Sequence, residues 1–547
     1  MMSLHNHKKA LLLCSGIILV GGIFAITAHS KSTKTAVSQD LNLYQTAPIT
    51  SLDVAKITDS VSSNALSQVG EGLYRLNANS EAENALATKT TVRDSGHQYT
   101  IDLRHDGKWS NGQPVTAQDF VYSWERTLNP KSKSEFTYQF ANIKNANAIA
   151  AGKKAPSTLG VKAVGKYQLQ ITLSQPADYF KKMLASTTYY PLNKKAVDKY
   201  GKQYGSSAAT TVYNGPFVLT NWNGTSDTWT LKKNATYAAA KSVKLKQISY
   251  KVIKSSTTSY NLYQSKKLDA VTLDGEQTTQ NKNNPDLRSV SQGRIGFIQY
   301  NQKDKVAANR DLRTAISLAI NRQQLTTKVL KNGSQPAKTF AIKNMLKNPK
   351  TGNDFTADAK VKDTVDYNPT LAKKLYQQAL KQLGKKSASV TITCGDDDAS
   401  QNMAEFIQSA LSSKLGLKVH VQAMPFTSML SNVSKGNFQL NLTSWSMDYA
   451  DPIQSLQILE STNNSNMGHY DSKAYDQALN ASEGRDALKS TARYADLVKA
   501  AQTAAKDQAV TPLYEGRTGI LVNPKIKGVV YNKFNGSADY THAYVSD

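Results

Sequence analysis

Apolar and polar residues alternate over several short stretches, and each such stretch predicts a half-buried strand. Residues 99–103, 169–173 and 228–231 carry this pattern. Elsewhere the spacing becomes helical. Over 117–128, Phe120, Val121, Trp124 and Leu128 share one face; over 312–325, Leu312, Ile316, Ala319 and Ile320 do. Pro369 opens a third helix over 369–383, with Leu371, Leu375, Ala379 and Leu383 on one side. The two kinds of pattern interleave without an internal repeat, a low-complexity tract or a clean linker. That predicts a mixed α/β chain whose lobes are assembled from distant segments. With 547 residues the chain exceeds the size of one hydrophobic core, so at least two lobes are expected.

The N-terminus departs from this pattern. His7, Lys8 and Lys9 precede a mostly apolar, uncharged run over 10–28, which predicts an export signal. Residues 1–30 are read as a signal peptide or N-terminal anchor and 31–40 as a polar linker. The run also approaches the length of a membrane span, and Cys14 lies inside it, so cleavage, retention and lipidation all stay open. Beyond it only Cys394 remains, which excludes an internal disulfide. Lys+Arg 67 against Asp+Glu 41 gives a net charge of +26. Paired lysines are scattered rather than interleaved with aromatics on one element. An exported chain of this kind points away from nucleic acid and toward a solvated basic surface or acidic cell-wall polymers.

Catalytic chemistry is hard to find. There is no Gly-x-Ser-x-Gly elbow and no His-Glu-x-x-His helix, and His97, His105, His420, His469 and His542 lack metal-ligand spacing. Cys394 precedes three aspartates, Asp396 to Asp398, between a strand-like and a helix-like run; those aspartates are read as helix caps. Residues 160–167 almost spell a phosphate loop, but Tyr167 stands where a hydroxyl should meet magnesium, and a strand pattern follows. A hairpin turn is expected there. Neither a cofactor nor a metal is expected, and no enzyme.

Several blocks together resemble one family, the extracellular solute-binding proteins (family 5) of peptide and nickel ABC importers, above all the oligopeptide-binding branch. Leu103-Arg104 followed by KWSNGQPVTAQDFVYSWER over 108–126 is similar to the family signature LR…WSdGxPvTAxDFvySWxR. Glu71-Gly72-Leu73, LGVK over 159–162, YNGPF over 213–217, DLRTA over 311–315 with AINR over 319–322, and WSMDYADP over 445–452 follow in order. The resemblance implies a two-lobed, class II binding-protein fold with an extra α/β subdomain and discontinuous domains joined by a hinge. Lobe I would comprise 40–71, 198–299 and 516–547, the inserted subdomain 72–197, and lobe II 300–515.

It further implies a monomeric protein at the cell surface or wall of a Gram-positive-type bacterium, or anchored by its N-terminal segment. Such a protein captures short peptides between its lobes and delivers them to the permease and ATPase subunits of an importer. Asp448 would pair with the peptide ammonium. Trp445, Ser446 and Tyr449 would line the cleft, and Phe136 and Thr58 stand where the family places a Tyr and a Glu. Two arginines of the branch are replaced here by Leu442 and Val433, which suggests a more apolar cleft. Other ligands for the same fold (a peptide pheromone, nickel chelate, glutathione or haem) and a basic surface adhesin remain as alternatives.

Overall fold

The computed structural model describes residues 37–547 except 464, 535 and 536, and the side chain of residue 427 is left aside. The segment over 1–30 that the sequence predicts to be a signal peptide or anchor therefore lies outside the described residues.

Two long strands, Leu287–Tyr300 and Val510–Val522, organise the molecule. They pair antiparallel from Leu287↔Leu521 to Gln299↔Val510. At roughly 3.3 Å per residue each is too long for one lobe, and their two ends enter different cores. Val290, Ile520 and Val522 pack with Leu41, Trp229 and Ile248. Ile298, Tyr300 and Leu513 pack with Leu312, Ile316, Ile392 and Leu440. Between these ends the register slips from Ser291 to Arg294, with Gly293 at φ +60°. Such a bulge relaxes the ladder and re-aims side chains, which suits a hinge between two lobes.

The first lobe is built on a sheet in the order Asp40–Gln45, Gln247–Val252, Thr228–Lys233, Phe217–Thr220, the first pair parallel. A second antiparallel sheet, Ala87–Arg93, Gln98–Leu103, Gln168–Thr172 and Val161–Ala163, belongs to the inserted segment. Helix Ala117–Leu128 supplies Phe120 and Trp124 to the insertion's core, both fully buried. Its start is set locally: the Asp119 carboxylate accepts from Thr116 N at 2.8 Å and from Trp109 Nε1 at 3.3 Å. The near match to a phosphate loop is a hairpin, with Val161 opposite Ile171 and Gly165 at φ +77°.

The long pair also belongs to a seven-stranded sheet. Beside it run Leu440–Ser446, then Ser389–Gly395 and Lys418–Met424 in parallel. Asp397 caps helix Asp398–Leu415, accepting from Ser400 N at 3.0 Å. The helix expected over 312–325 is broken. Arg310–Ala319 ends at the extended Ile320, and Asn321 caps a new turn by accepting from Gln324 N at 3.0 Å. The buried Arg322 then reaches Pro512 O at 2.7 Å and Val365 O at 2.7 Å, satisfying carbonyls that a continuous helix would carry it past.

One apolar cluster runs from the insertion into the segment after the central strand. It joins Phe120 and Tyr179 to Met447, Tyr449, Ile453 and Leu497. Tyr179 stacks on Tyr449 at 5.2 Å and 12°. The cleft is thereby closed along one side.

Candidate functional site

Strand Leu440–Ser446 delivers the candidate residues to the cleft. It pairs with the hinge strand, Trp445 opposite Ile295 and Ser446 opposite Arg294. Met447 N then donates to Gly293 O at 2.7 Å and the chain leaves the sheet. The following loop is braced by one side chain. Gln454 Oε1 accepts from Asp448 N at 2.5 Å and from Tyr449 N at 3.4 Å, while Trp445 Nε1 donates to Gln454 O at 2.7 Å. Below the loop, Asp451 and Arg493 form a buried two-pronged ion pair at 2.8 and 2.9 Å.

Asp448 projects the other way. Its carboxylate reaches solvent but is walled by protein on most sides, facing Asn64 and Ser67 of helix Ser60–Val69 across a recess with Thr187 and Asn532. Burial lifts its pKa above the usual carboxylate value. No described side chain bonds to this carboxylate or forms an ion pair with it. The cations that share the recess are already engaged: Arg75 with Asp539 at 2.8 Å and Glu71 at 3.3 Å, Lys182 with Glu81 at 3.2 Å and Ala450 O at 3.3 Å. A partly desolvated carboxylate without a protein cation favours a cation brought from outside.

The recess adjoins a cavity of about 630 Å³, which shares Asn64 with it. Tyr44, Tyr250, Tyr531 and Tyr540 supply flat apolar walls, and Gln68 and Gln292 supply amides. Apolar faces with a few convergent polar groups are typical of a small-ligand site.

Trp445, Ser446, Asp448 and Tyr449 follow one another at the strand end and in the loop, but of the four only Asp448 lines a recess: Trp445 is half-buried, Ser446 exposed and Tyr449 buried under the loop. Phe136 lies in the insertion with its ring 6.2 Å from that of Tyr138, and it lines neither recess. Although the Tyr138 ring is largely exposed, desolvation by the protein around its hydroxyl, and then the charge of Asp448, raises its pKa. Thr58 is not gathered in. It sits exposed before helix Ser60–Val69, outside the lining of both recesses, and neighbouring Asp59 is spent capping that helix through Ser62 N at 2.7 Å. Leu442 and Val433 are buried in apolar clusters of the second lobe rather than in the cleft lining, so they give no support for an apolar cleft. Sequence reasoning missed Tyr138, Asn64 and Gln454. None lies in a periodic pattern, and only Gln454 stands near a recognised block.

Among the described residues no cluster of three or more His, Cys, Asp or Glu could hold a metal ion, and no helix is long and apolar enough to cross a membrane. Cys394 is buried, and burial pushes its thiol up to about 11, away from the reactive thiolate.

Known proteins share this design. Residues 81–467 match the family described as bacterial extracellular solute-binding proteins, family 5 Middle. A dipeptide-binding protein of Lactococcus lactis subsp. cremoris (strain MG1363) is 36% identical, covering 97% of this chain and 98% of the relative. A solved structure of Listeria monocytogenes OppA bound to peptide superposes with TM-score 0.76 at 37% identity, over 93% of this chain and 99% of that one. The pheromone receptor PrgZ superposes with TM-score 0.77 at 36% identity, over 93% and 100%. The match covers most of the chain and both lobes: this protein belongs to the family 5 bacterial extracellular solute-binding proteins.

Proposed function

We propose that the protein captures short peptides between its lobes and delivers them to an ABC importer. The observation that carries this reading is Asp448, a carboxylate that lines a recess open to solvent and has no cationic partner among the described side chains. A peptide α-ammonium supplies that partner through charge-assisted hydrogen bonds. The peptide then extends along the tyrosine- and amide-lined cavity, where backbone bonding and water tolerate varied side chains. Relatives named for dipeptide and oligopeptide binding support the ligand class.

We assign 40–71, 198–299 and 516–547 to lobe I, 72–197 to the inserted subdomain and 300–515 to lobe II. The register slip between Ser291 and Arg294 supports a hinge close to two of these boundaries. Residues 1–30 direct export, leaving the binding unit outside the membrane, where its +26 charge favours contact with acidic wall polymers. A peptide pheromone is the second reading, favoured by the likeness to PrgZ.

Calorimetry with tri-alanine and its N-acetylated form tests the main reading. The free amine should bind at least about tenfold more tightly. Equal affinity would remove Asp448 from ammonium recognition, and one tight sequence amid indifferent ones would favour the pheromone.

A further inference from the structure

Positive charge is gathered at one end of the first lobe. Residues 228–268 carry nine lysines and residues 525–538 three, and neither stretch contains an Asp or Glu. The fold joins parts of both at the point where the chain enters lobe I. Lys246 N donates to Gln39 O at 2.8 Å and Lys233 N to Lys246 O at 2.9 Å, and the next rung of the ladder pairs Lys232 with Gln247. Gln39 also grips strand Tyr544–Val545, donating to Val545 O at 2.8 Å and accepting from Val545 N at 3.0 Å. That strand sets Lys527 opposite Tyr544, whose ring centroid is 4.4 Å from the Lys244 ammonium, and Ser546 N donates to Lys525 O at 2.8 Å.

Lys232, Lys233, Lys244, Lys246, Lys525 and Lys527 are thus neighbours, and all are exposed. No described carboxylate forms an ion pair with any of them. Asp269, which borders the patch, already accepts from Asn42 N at 2.8 Å and Asn523 Nδ2 at 3.0 Å. On the described strands and turns that build the patch, Asp40 and Asp547 are the acids set against six cations. Like charges held close repel one another, and an external anionic surface relieves that repulsion.

The patch is remote from the ligand space. Strands Asp40–Gln45 and Gln247–Val252 run parallel from it to the cavity, whose wall includes Tyr44, Gln45, Tyr250 and Ile253. Patch and cavity therefore lie at opposite ends of the same two strands, about 20 Å apart. The chain ahead of Gln39 supplies a second argument. Residues 29–38 connect the apolar run of 10–28 to this patch, and Lys31 and Lys34 add to its charge. Fully extended they span at most about 36 Å, so a run retained in the membrane tethers lobe I by this end.

We infer that this lysine patch docks on the anionic phospholipid surface of the membrane and holds lobe I there with the peptide cleft turned away from the lipid. A basic patch beside a short tether supplies the two signals that stable peripheral attachment needs. Such contact is screened beyond a Debye length of about 8 Å and stays reversible, so the waiting protein remains free to turn toward an importer. It is independent of which ligand Asp448 takes.

Co-sedimentation of the full chain with vesicles tests this, using phosphatidylcholine alone, equal parts phosphatidylcholine and phosphatidylglycerol, and soluble polyphosphate as a competing polyanion. Wild type should prefer the mixed vesicles by roughly 100-fold or more at low salt, and the preference should vanish in molar salt. Lys232→Gln, Lys246→Gln and Lys527→Gln together should cut it roughly 30- to 100-fold. Lys373→Gln, Lys374→Gln and Lys414→Gln on lobe II change the net charge equally and should leave it within about threefold. The unfolding midpoint and tri-alanine affinity should stay at wild-type values in both variants, since neither set lines the cavity. Equal loss in the two variants reduces the effect to net charge and overturns the docking patch. So does a patch variant that keeps the lipid preference, or one that loses affinity for polyphosphate alone, which assigns the lysines to wall polymers. Loss of tri-alanine binding with the lipid preference intact strikes the peptide reading and leaves the patch standing.

Discussion

Asp448 and Asp451 stand three residues apart in one loop and lead opposite lives. Asp451 turns inward, 3% exposed, and meets Arg493 through two short bonds, with that guanidinium 5.4 Å from the Tyr179 ring. Asp448 turns toward the cleft, carries no protein cation and has its pKa raised by burial. The first carboxylate is matched by the protein, so it holds the loop to helix Ser490–Lys506 and the insertion. The second is left unmatched where a guest can reach it. Pairing, not residue type, separates scaffold from site.

The largest expected effect comes from Asp451→Ala. It strands a buried guanidinium and should cost about 3–5 kcal/mol of stability by urea denaturation. A loss below about 1 kcal/mol would mean that Arg493 finds another partner and would erase the contrast. Next is Asp448→Asn, which should weaken tripeptide binding by about 2–3 kcal/mol in calorimetry while leaving stability equal or slightly higher, because a poorly solvated charge is removed. Since its pKa is raised, Asp448 takes up a proton at a higher pH than an ordinary carboxylate. Wild-type affinity should therefore fall on acidification sooner than a normal Asp would allow, and the Asp448→Asn variant should lose that dependence.

A smaller effect sharpens the inward side. Tyr179 donates to Glu483 Oε1 at 3.3 Å, joining the insertion to helix Lys473–Glu483. Burial, then the charge of Glu460, pushes Glu483 up to about 7. Its folded pKa exceeds the unfolded value of 4.5, so the folded form holds an extra proton between roughly pH 4.5 and 7. Stability from this contact is complete below that window and declines as pH rises through it, by on the order of 1 kcal/mol given partial exposure. Glu483→Gln should flatten this slope in denaturation midpoints taken at about pH 5 and pH 7.5, either side of most of that window; an unchanged slope would place the titrating group elsewhere.

Much of this was written locally. Helix Ala117–Leu128 could be read end to end because Thr116, Asp119 and the Phe120–Trp124 face all lie within one stretch. Asp397 and the hairpin at Gly165 were legible for the same reason. The WSMDYADP block pointed to Asp448 through resemblance alone, since nothing in its local pattern marks it as more than a turn residue. The break at Ile320 escaped notice because apolar periodicity continues through it, whereas the deciding bonds of Arg322 reach residues 43 and 190 positions away. Tyr138 was likewise invisible, lying in an irregular turn.

Composition, capping and periodicity thus sufficed for a mixed α/β chain and for single elements such as helix Ala117–Leu128, because those depend on neighbours within a turn or two of chain, while the two-lobed fold was legible only through resemblance. Which acid stays unpaired and which side chains share a recess emerged only once segments hundreds of residues apart had packed. Burial and pairing are properties of that packing, and no stretch of chain carries them alone.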